Sequence, residues 1–253
     1  MKRIAIVTGA SSGMGKEFVF LLDKKNLDEI WVVARRADRL EALRQEVKTP
    51  LRVIPADLIS KEDLARVTAM MDEEQPDIRY LVNGAGFGKF GHFEDFEHEQ
   101  VERMIDLNVK AAVEMTYRAI PHMNEGGRII EIVSCSAFQP LPYMNIYAST
   151  KAFMLHFSRA LHRELKSRKI SVTAVCPGWV DTEFFSVAKD TSNPGAVSHH
   201  PFMQSPAKVA ALALRHADKG KDLSVYGLNV KAQRMAAKIF PMRFIIWVWT
   251  KTR

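Results

Sequence analysis

Cysteine is nearly absent: Cys135 and Cys176 are the only two in 253 residues, far apart and in no metal-ligand spacing. That excludes a disulfide scaffold and reads as free thiols in a reducing cytoplasm. The N-terminal stretch Met1 to Val7 lacks the apolar core and cleavage site of a secretory signal. No uncharged apolar run reaches the ~18 residues of a membrane span. His92, His98, His199 and His200 show no ligand spacing with acids or cysteines, so no metal is expected. Acids are missing from one region: residues 227–253 hold Lys231, Arg234, Lys238, Arg243, Lys251 and Arg253 and no Asp or Glu. Those six account for all but one unit of the net charge of +7. The remaining body is nearly neutral, which argues against a nucleic-acid footprint spread over the fold.

What is present alternates. At 253 residues and 47% hydrophobic, the chain is long enough for one large domain, 1–226, followed by a basic apolar extension at 227–253. Ile4-Ala5-Ile6-Val7 suits a strand buried on both faces. It runs into Thr8-Gly9-Ala10-Ser11-Ser12-Gly13-Met14-Gly15, and Lys16 to Lys24 then reads as a helix. Glycines there allow a tight turn and let backbone approach a pyrophosphate at the helix N-terminus. The spacing is Gly-x3-Gly-x-Gly, not the Gly-x-Gly-x2-Gly of the general dinucleotide fingerprint. Further strands are expected at 30–34, 51–55, 78–82, 128–133, 170–175 and 223–225, with helices at 39–47 (Asp38 as N-cap) and 61–74. The alternation predicts an α/β fold: a doubly wound, Rossmann-type parallel sheet of about seven strands with helices on both faces. The glycine turn, Arg35-Arg36, Asp57, Asn83 to Gly86, Ser134 and Pro177-Gly178 all fall at strand C-termini, where such sheets bind ligands. Residues 178–205, the least regular stretch, are placed to cover that crevice as a lid.

The second strand ends in Arg35-Arg36, where an acid would hold a ribose 2′-hydroxyl. Guanidinium binds phosphate as a fork and an acid would repel it, so the pair predicts NADP(H). Tyr147 and Lys151 stand one helical turn apart on one face. A free phenol has a pKa near ~10, and an adjacent ammonium stabilises the phenolate, each unit of lowering requiring about 1.4 kcal/mol. The pair forms a proton-transfer device.

Thr8-Gly9-Ala10-x3-Gly13-x-Gly15, Asn83-Gly84-Ala85-Gly86, Asn108, Ser134, Tyr147-x3-Lys151 and Pro177-Gly178 resemble, in order and spacing, the short-chain dehydrogenase/reductase family over about residues 3–225. The resemblance implies hydride transfer between a nicotinamide and a carbonyl or secondary alcohol, with the cofactor performing the redox step. It makes Asn108, Ser134, Tyr147 and Lys151 catalytic. Ser134, thirteen residues before Tyr147, would bond the substrate oxygen, and Tyr147 would exchange a proton with it. Lys151 would lower the Tyr147 pKa and hold the nicotinamide ribose with it, and Asn108 would anchor a water. Gly9, Ser11, Ser12, Gly13, Met14 and Gly15 would line the pyrophosphate and adenosine, with Arg35 and Arg36 at the 2′-phosphate. Asp57 would bond the adenine amine and Asn83 steady the sheet; Leu58, Ala85 and Gly86 complete that side. Pro177, Gly178, Val180 and Thr182 would meet the nicotinamide carboxamide. Val133 stands where many members carry a second serine, and Ser136 reads as a turn residue.

Phe87, Phe138, Tyr143, Trp179 and Phe184 are candidate substrate walls, an inventory suited to a bulky hydrophobic carbonyl such as a steroid, bile acid or ketoacyl chain. That half of such residues simply pack the core is an equal expectation. Residues 229–253 interleave apolar and basic side chains around Pro241. Packing on a subunit partner or over the substrate mouth is favoured over contact with an anionic membrane surface, because the segment is short and the body neutral. A cytoplasmic homodimer or homotetramer is expected, acting on a small molecule and not on nucleic acid. The rival functions are an NADP(H)-binding sensor or scaffold without turnover, and a membrane-surface lipid reductase acting through its tail.

Overall fold

In the computed structural model, which describes residues 1–253, the chain alternates from its first strand onward. It runs β1 (Arg3–Thr8), α1 (Gly13–Leu22), β2 (Glu29–Ala34), α2 (Ala37–Leu43), β3 (Leu51–Pro55), α3 (Lys61–Glu74) and β4 (Asp77–Asn83). There follow α4 (His98–Ile105), a π-helical turn (Asp106–Ala111), α5 (Ala112–Ala119), β5 (Arg128–Ile132), α6 (Asn145–Glu164) and β6 (Ser171–Val175). The chain ends with α7 (Phe184–Lys189), α8 (Pro206–Asp218), β7 (Leu223–Ser224), α9 (Leu228–Ile239) and α10 (Met242–Thr252).

The seven strands form one parallel sheet in the order β3-β2-β1-β4-β5-β6-β7. Successive side chains of a strand face opposite ways, so β1 feeds two cores. Ala5 and Val7 meet Phe18, Val19 and Leu22 of α1 and Ala210, Ala213 and Leu214 of α8. Ile4 and Ile6 meet Val67 and Met71 of α3 and Met115 and Ala119 of α5. β1 lies between β2 and β4, so the chain order reverses there and a crevice opens above the carboxyl ends of β1 and β4.

Local chemistry sets the helix starts. Ser60 caps α3, its hydroxyl accepting from Asp63 N at 3.2 Å, and Ser205 caps α8 ahead of Pro206. The start of α2 differs from expectation. Arg36, in extended backbone, is its N-cap, and Asp38 lies in the first turn, where an acid favours the helix dipole. The segment 178–205 is closed at its base, where Val180 bridges Gln204. The Gln204 amide accepts from Gly178 N at 3.0 Å and donates to Tyr226 O at 3.1 Å. No helix is long and apolar enough to cross a membrane.

Candidate active site

Four side chains converge under the ends of β4 and β5. Tyr147 and Lys151 share one face of α6 and are only 8% and 6% exposed; Ser134 follows β5 and Asn108 lies in the π-helical turn. The Lys151 ammonium donates to Ile132 O at 2.7 Å and stands 5.7 Å from the centre of the Tyr147 ring. Asn108 Oδ1 accepts from Phe87 N at 3.0 Å, and its Nδ2 donates to Phe87 O at 2.8 Å and to Thr150 Oγ1 at 3.1 Å. Thr150 in turn donates to Tyr147 O at 2.7 Å, so Asn108 couples the loop after β4 to α6. Gly86 and Gly88 belong to that loop. A Cβ on Gly86 would stand 2.8 Å from Asn108 Oδ1, and one on Gly88 would stand 2.8 Å from the Tyr147 ring.

Burial governs the electrostatics. It pushes the Tyr147 phenol above its ordinary range, and the Ser134 hydroxyl beside it pulls the other way. The net shift is upward, not the lowering expected beside an ammonium, because burial outweighs the other influences on the phenol. Lys151 itself is pushed down to about 8 by burial, opposed by the Glu131 charge. Glu131, 1% exposed, accepts from Asn83 Nδ2 at 2.8 Å and Thr116 Oγ1 at 2.9 Å. Burial pushes its carboxyl up to about 7, against those two hydrogen bonds and the Lys151 charge.

The cofactor side is a groove of about 360 Å³ lined by Ser11, Ser12, Gly13, Lys16, Arg39, Thr182 and Glu183 among others. Gly9, at φ +67°, lies so close to the loop after β4 that a Cβ there would stand 2.7 Å from Ala85 N. Thr8 Oγ1 accepts from Gly84 N and Ala85 N at 3.0 and 3.2 Å and holds the two loops together. Met14 and Gly15 are buried in the first turn of α1, where unpaired backbone N–H groups favour an anion. Arg36 donates to Ser11 Oγ and Ser12 Oγ at 3.0 and 2.9 Å, whereas Arg35 is exposed. Asp57 accepts from Ile59 N at 3.2 Å, and Leu58 is buried beside it. Asn83 turns into the core toward Glu131, and Cys135 N donates to Pro177 O at 2.8 Å, fixing the strand ends. Bare backbone at the glycines, a helix N-terminus and a guanidinium fork together fit a dinucleotide bearing a 2′-phosphate.

On the substrate side, Phe87, Tyr143, Trp179 and Phe184 pack around the Tyr147 cluster. The Phe184 ring is 5.2 Å from that of Tyr147, and Phe90 meets both Trp179 and Phe184 edge-on at 6.2 Å. Phe138 is the exception: it packs with Val133, Cys176, Val225 and Val230 on the α9 side, not with the other four. α10 reaches the same mouth. Trp249 stacks on Trp179 at 6.4 Å and donates to Pro142 O at 2.9 Å, and Arg253 lies over the Tyr143 ring at 3.6 Å. Its outer residues, Phe244 and Trp247, are exposed.

Several site residues escaped the sequence reading. Thr150 sits inside the Tyr-x3-Lys motif and was open to notice; Glu131, Arg39 and Glu183 belong to separate elements that only the fold brings together.

Residues 3–193 match the short chain dehydrogenase family. An uncharacterized oxidoreductase of Staphylococcus epidermidis is 31% identical over 183 residues, 72% of this chain and 79% of that protein. The 11-beta-hydroxysteroid dehydrogenase-like protein 3 of Arabidopsis thaliana is 36% identical over 188 residues, 72% of this chain and 60% of that one. Among solved structures, a short-chain dehydrogenase from Sphingobium yanoikuyae in complex with NADPH superposes with a TM-score of 0.81 at 30% identity, covering 93% of this chain and 92% of that one. A serine dehydrogenase complexed with NADP+ superposes with a TM-score of 0.78 at 27% identity, covering 88% and 94%. With the fold, the tyrosine–lysine helix and the glycine turn in agreement, the chain belongs to the short-chain dehydrogenase family, as an NADP-dependent oxidoreductase.

Proposed function

We propose that the protein interconverts a bulky hydrophobic ketone and its secondary alcohol, of hydroxysteroid, bile-acid or ketoacyl type, working reductively with NADPH. The observation that carries this is the aromatic wall on the catalytic phenol, with Phe184 5.2 Å from Tyr147 and Trp179 and Phe90 behind it. Such a wall desolvates a flat or extended apolar substrate and offers it few polar partners. The name of the Arabidopsis relative supports a steroid-like ligand.

When bound, NADP(H) supplies the hydride at nicotinamide C4. The chain supplies the rest. Ser134 donates a hydrogen bond to the carbonyl oxygen as negative charge grows there. The Tyr147 O–H bond breaks and its proton passes to that oxygen, completing the alcohol. A phenol held above its ordinary range keeps this proton through neutral pH, the state that reduction requires. The Lys151 ammonium stabilises the phenolate that remains and would hold the ribose hydroxyls of the bound cofactor. Because the Asn108 side chain is committed to Phe87 and Thr150, the expected water would be held by main-chain carbonyls of its π-helical turn. Exposed Tyr117 on α5 and Phe153 on α6 offer apolar surface to a second copy of the chain.

Purified protein given NADPH and a panel of steroid ketones, oxo bile acids, ketoacyl thioesters and sugars tests the substrate class. Turnover confined to the apolar ketones supports it. Turnover of sugars alone would overturn it.

A further inference from the structure

Glu183, the N-cap of α7, sends its carboxylate out of the lid to the tip of β2. Its Oε2 accepts from Arg36 Nη1 at 2.7 Å, and its Oε1 accepts from Arg39 Nη1. The other side of the Arg36 fork is bound to the glycine turn, with Nε and Nη2 donating to Ser11 Oγ at 3.3 and 3.0 Å and Nη2 also to Ser12 Oγ at 2.9 Å. One carboxylate thereby ties the lid to both arginines at the rim of the adenosine groove. The Arg39 and Arg36 hydrogen bonds pull the Glu183 carboxyl down to about 2, so it is ionised at neutral pH.

The geometry points to Glu183 as an internal anion that competes with the 2′-phosphate of NADP(H) for Arg36 and Arg39. It thereby limits the margin by which the site prefers a phosphorylated over an unphosphorylated adenosine. The inference rests on the assignment of Arg36 to the 2′-phosphate. A guanidinium has a fixed fork of five donors, and four of those of Arg36 are already divided between two serines and one carboxylate. A phosphate docking on the same fork must displace the carboxylate or accept its repulsion, and either lowers affinity. An adenosine with a free 2′-hydroxyl makes no such demand. Displacement also frees the first turn of α7, which carries Phe184 against Tyr147, so the anion site and the substrate wall share one short helix.

The test is calorimetric titration of the full chain with adenosine 2′,5′-bisphosphate and with 5′-AMP. Glu183 is on the surface, so Glu183→Gln preserves shape and fold while removing the charge. The expected result is that Glu183→Gln tightens the bisphosphate about five- to twentyfold and leaves 5′-AMP unchanged. Equal tightening of both nucleotides, or an unchanged or weaker bisphosphate, overturns the inference. Arg36→Ala checks the underlying assignment. If it keeps the wild-type preference for the bisphosphate, Arg36 does not hold the 2′-phosphate and the competition falls with it. If it loses that preference while Glu183→Gln gains nothing, the competition alone is wrong.

Discussion

Lys151 Nζ stands 5.7 Å from the centre of the Tyr147 ring and is bonded to Ile132 O at 2.7 Å. The ammonium is within cation–π range of the ring, about 6 Å. Burial sets its pKa at about 8, so the charge is present below that pH and lost as pH rises through it. Carbonyl reduction is expected to hold steady from neutral pH and to fall above about 8, read from kcat/KM against pH. Lys151→Met is expected to remove that limb and to lower kcat by about 10²–10⁴.

Glu131 has the opposite sign. Its folded-state pKa of about 7 lies above the ordinary 4.5, so the folded protein binds the extra proton between those values. Stability from this group is full below 4.5 and is lost as pH rises to about 7. Glu131→Gln keeps an acceptor for Asn83 and Thr116 without the buried charge. At pH 8 the variant is expected to be more stable by up to roughly 3 kcal/mol, and at pH 4 to match the parent. Denaturant midpoints at the two pH values check this, and equal midpoints at both contradict it.

Gly88 leaves room for catalysis by having no side chain. An added Cβ would stand 2.8 Å from the Tyr147 ring and 3.0 Å from that of Phe184. Gly88→Ala is expected to displace both rings and lower kcat by about 10²-fold, as misplacements near 1 Å do. Its affinity for NADPH, measured by fluorescence, should be unchanged.

Trp249 joins the C-terminal helix to the mouth of the substrate side through Trp179 and Pro142. Trp249→Ala is expected to cost about 1–3 kcal/mol of binding for an apolar ketone, seen as a raised KM with kcat retained. A lowered kcat at constant KM would place the helix elsewhere in the cycle.

The sheet was legible because each strand is an apolar run closed by turn residues, and both faces of β1 are covered by helices. Strand ends shifted by a residue or two, as fraying does. The candidate catalytic set was legible as a spaced motif, Ser134 to Tyr147 to Lys151. The direction of the Tyr147 shift was not, because charge spacing is visible in a sequence and desolvation is not. Phe138 misled for a related reason. It lies in the same turn region as the substrate candidates, yet it faces Val225 and Val230. The Arg36–Glu183–Arg39 group joins positions 147 and 144 residues apart, and no local pattern announces it.

The proton on Tyr147 is the centre of the account, and Tyr147→Phe removes only that oxygen from a buried ring. The variant is expected to bind NADPH as the parent does, by fluorescence titration, and to lose carbonyl-dependent NADPH oxidation by at least about 10²–10⁴. A Tyr147→Phe protein that still oxidises NADPH at the parental rate when given the ketone would contradict it.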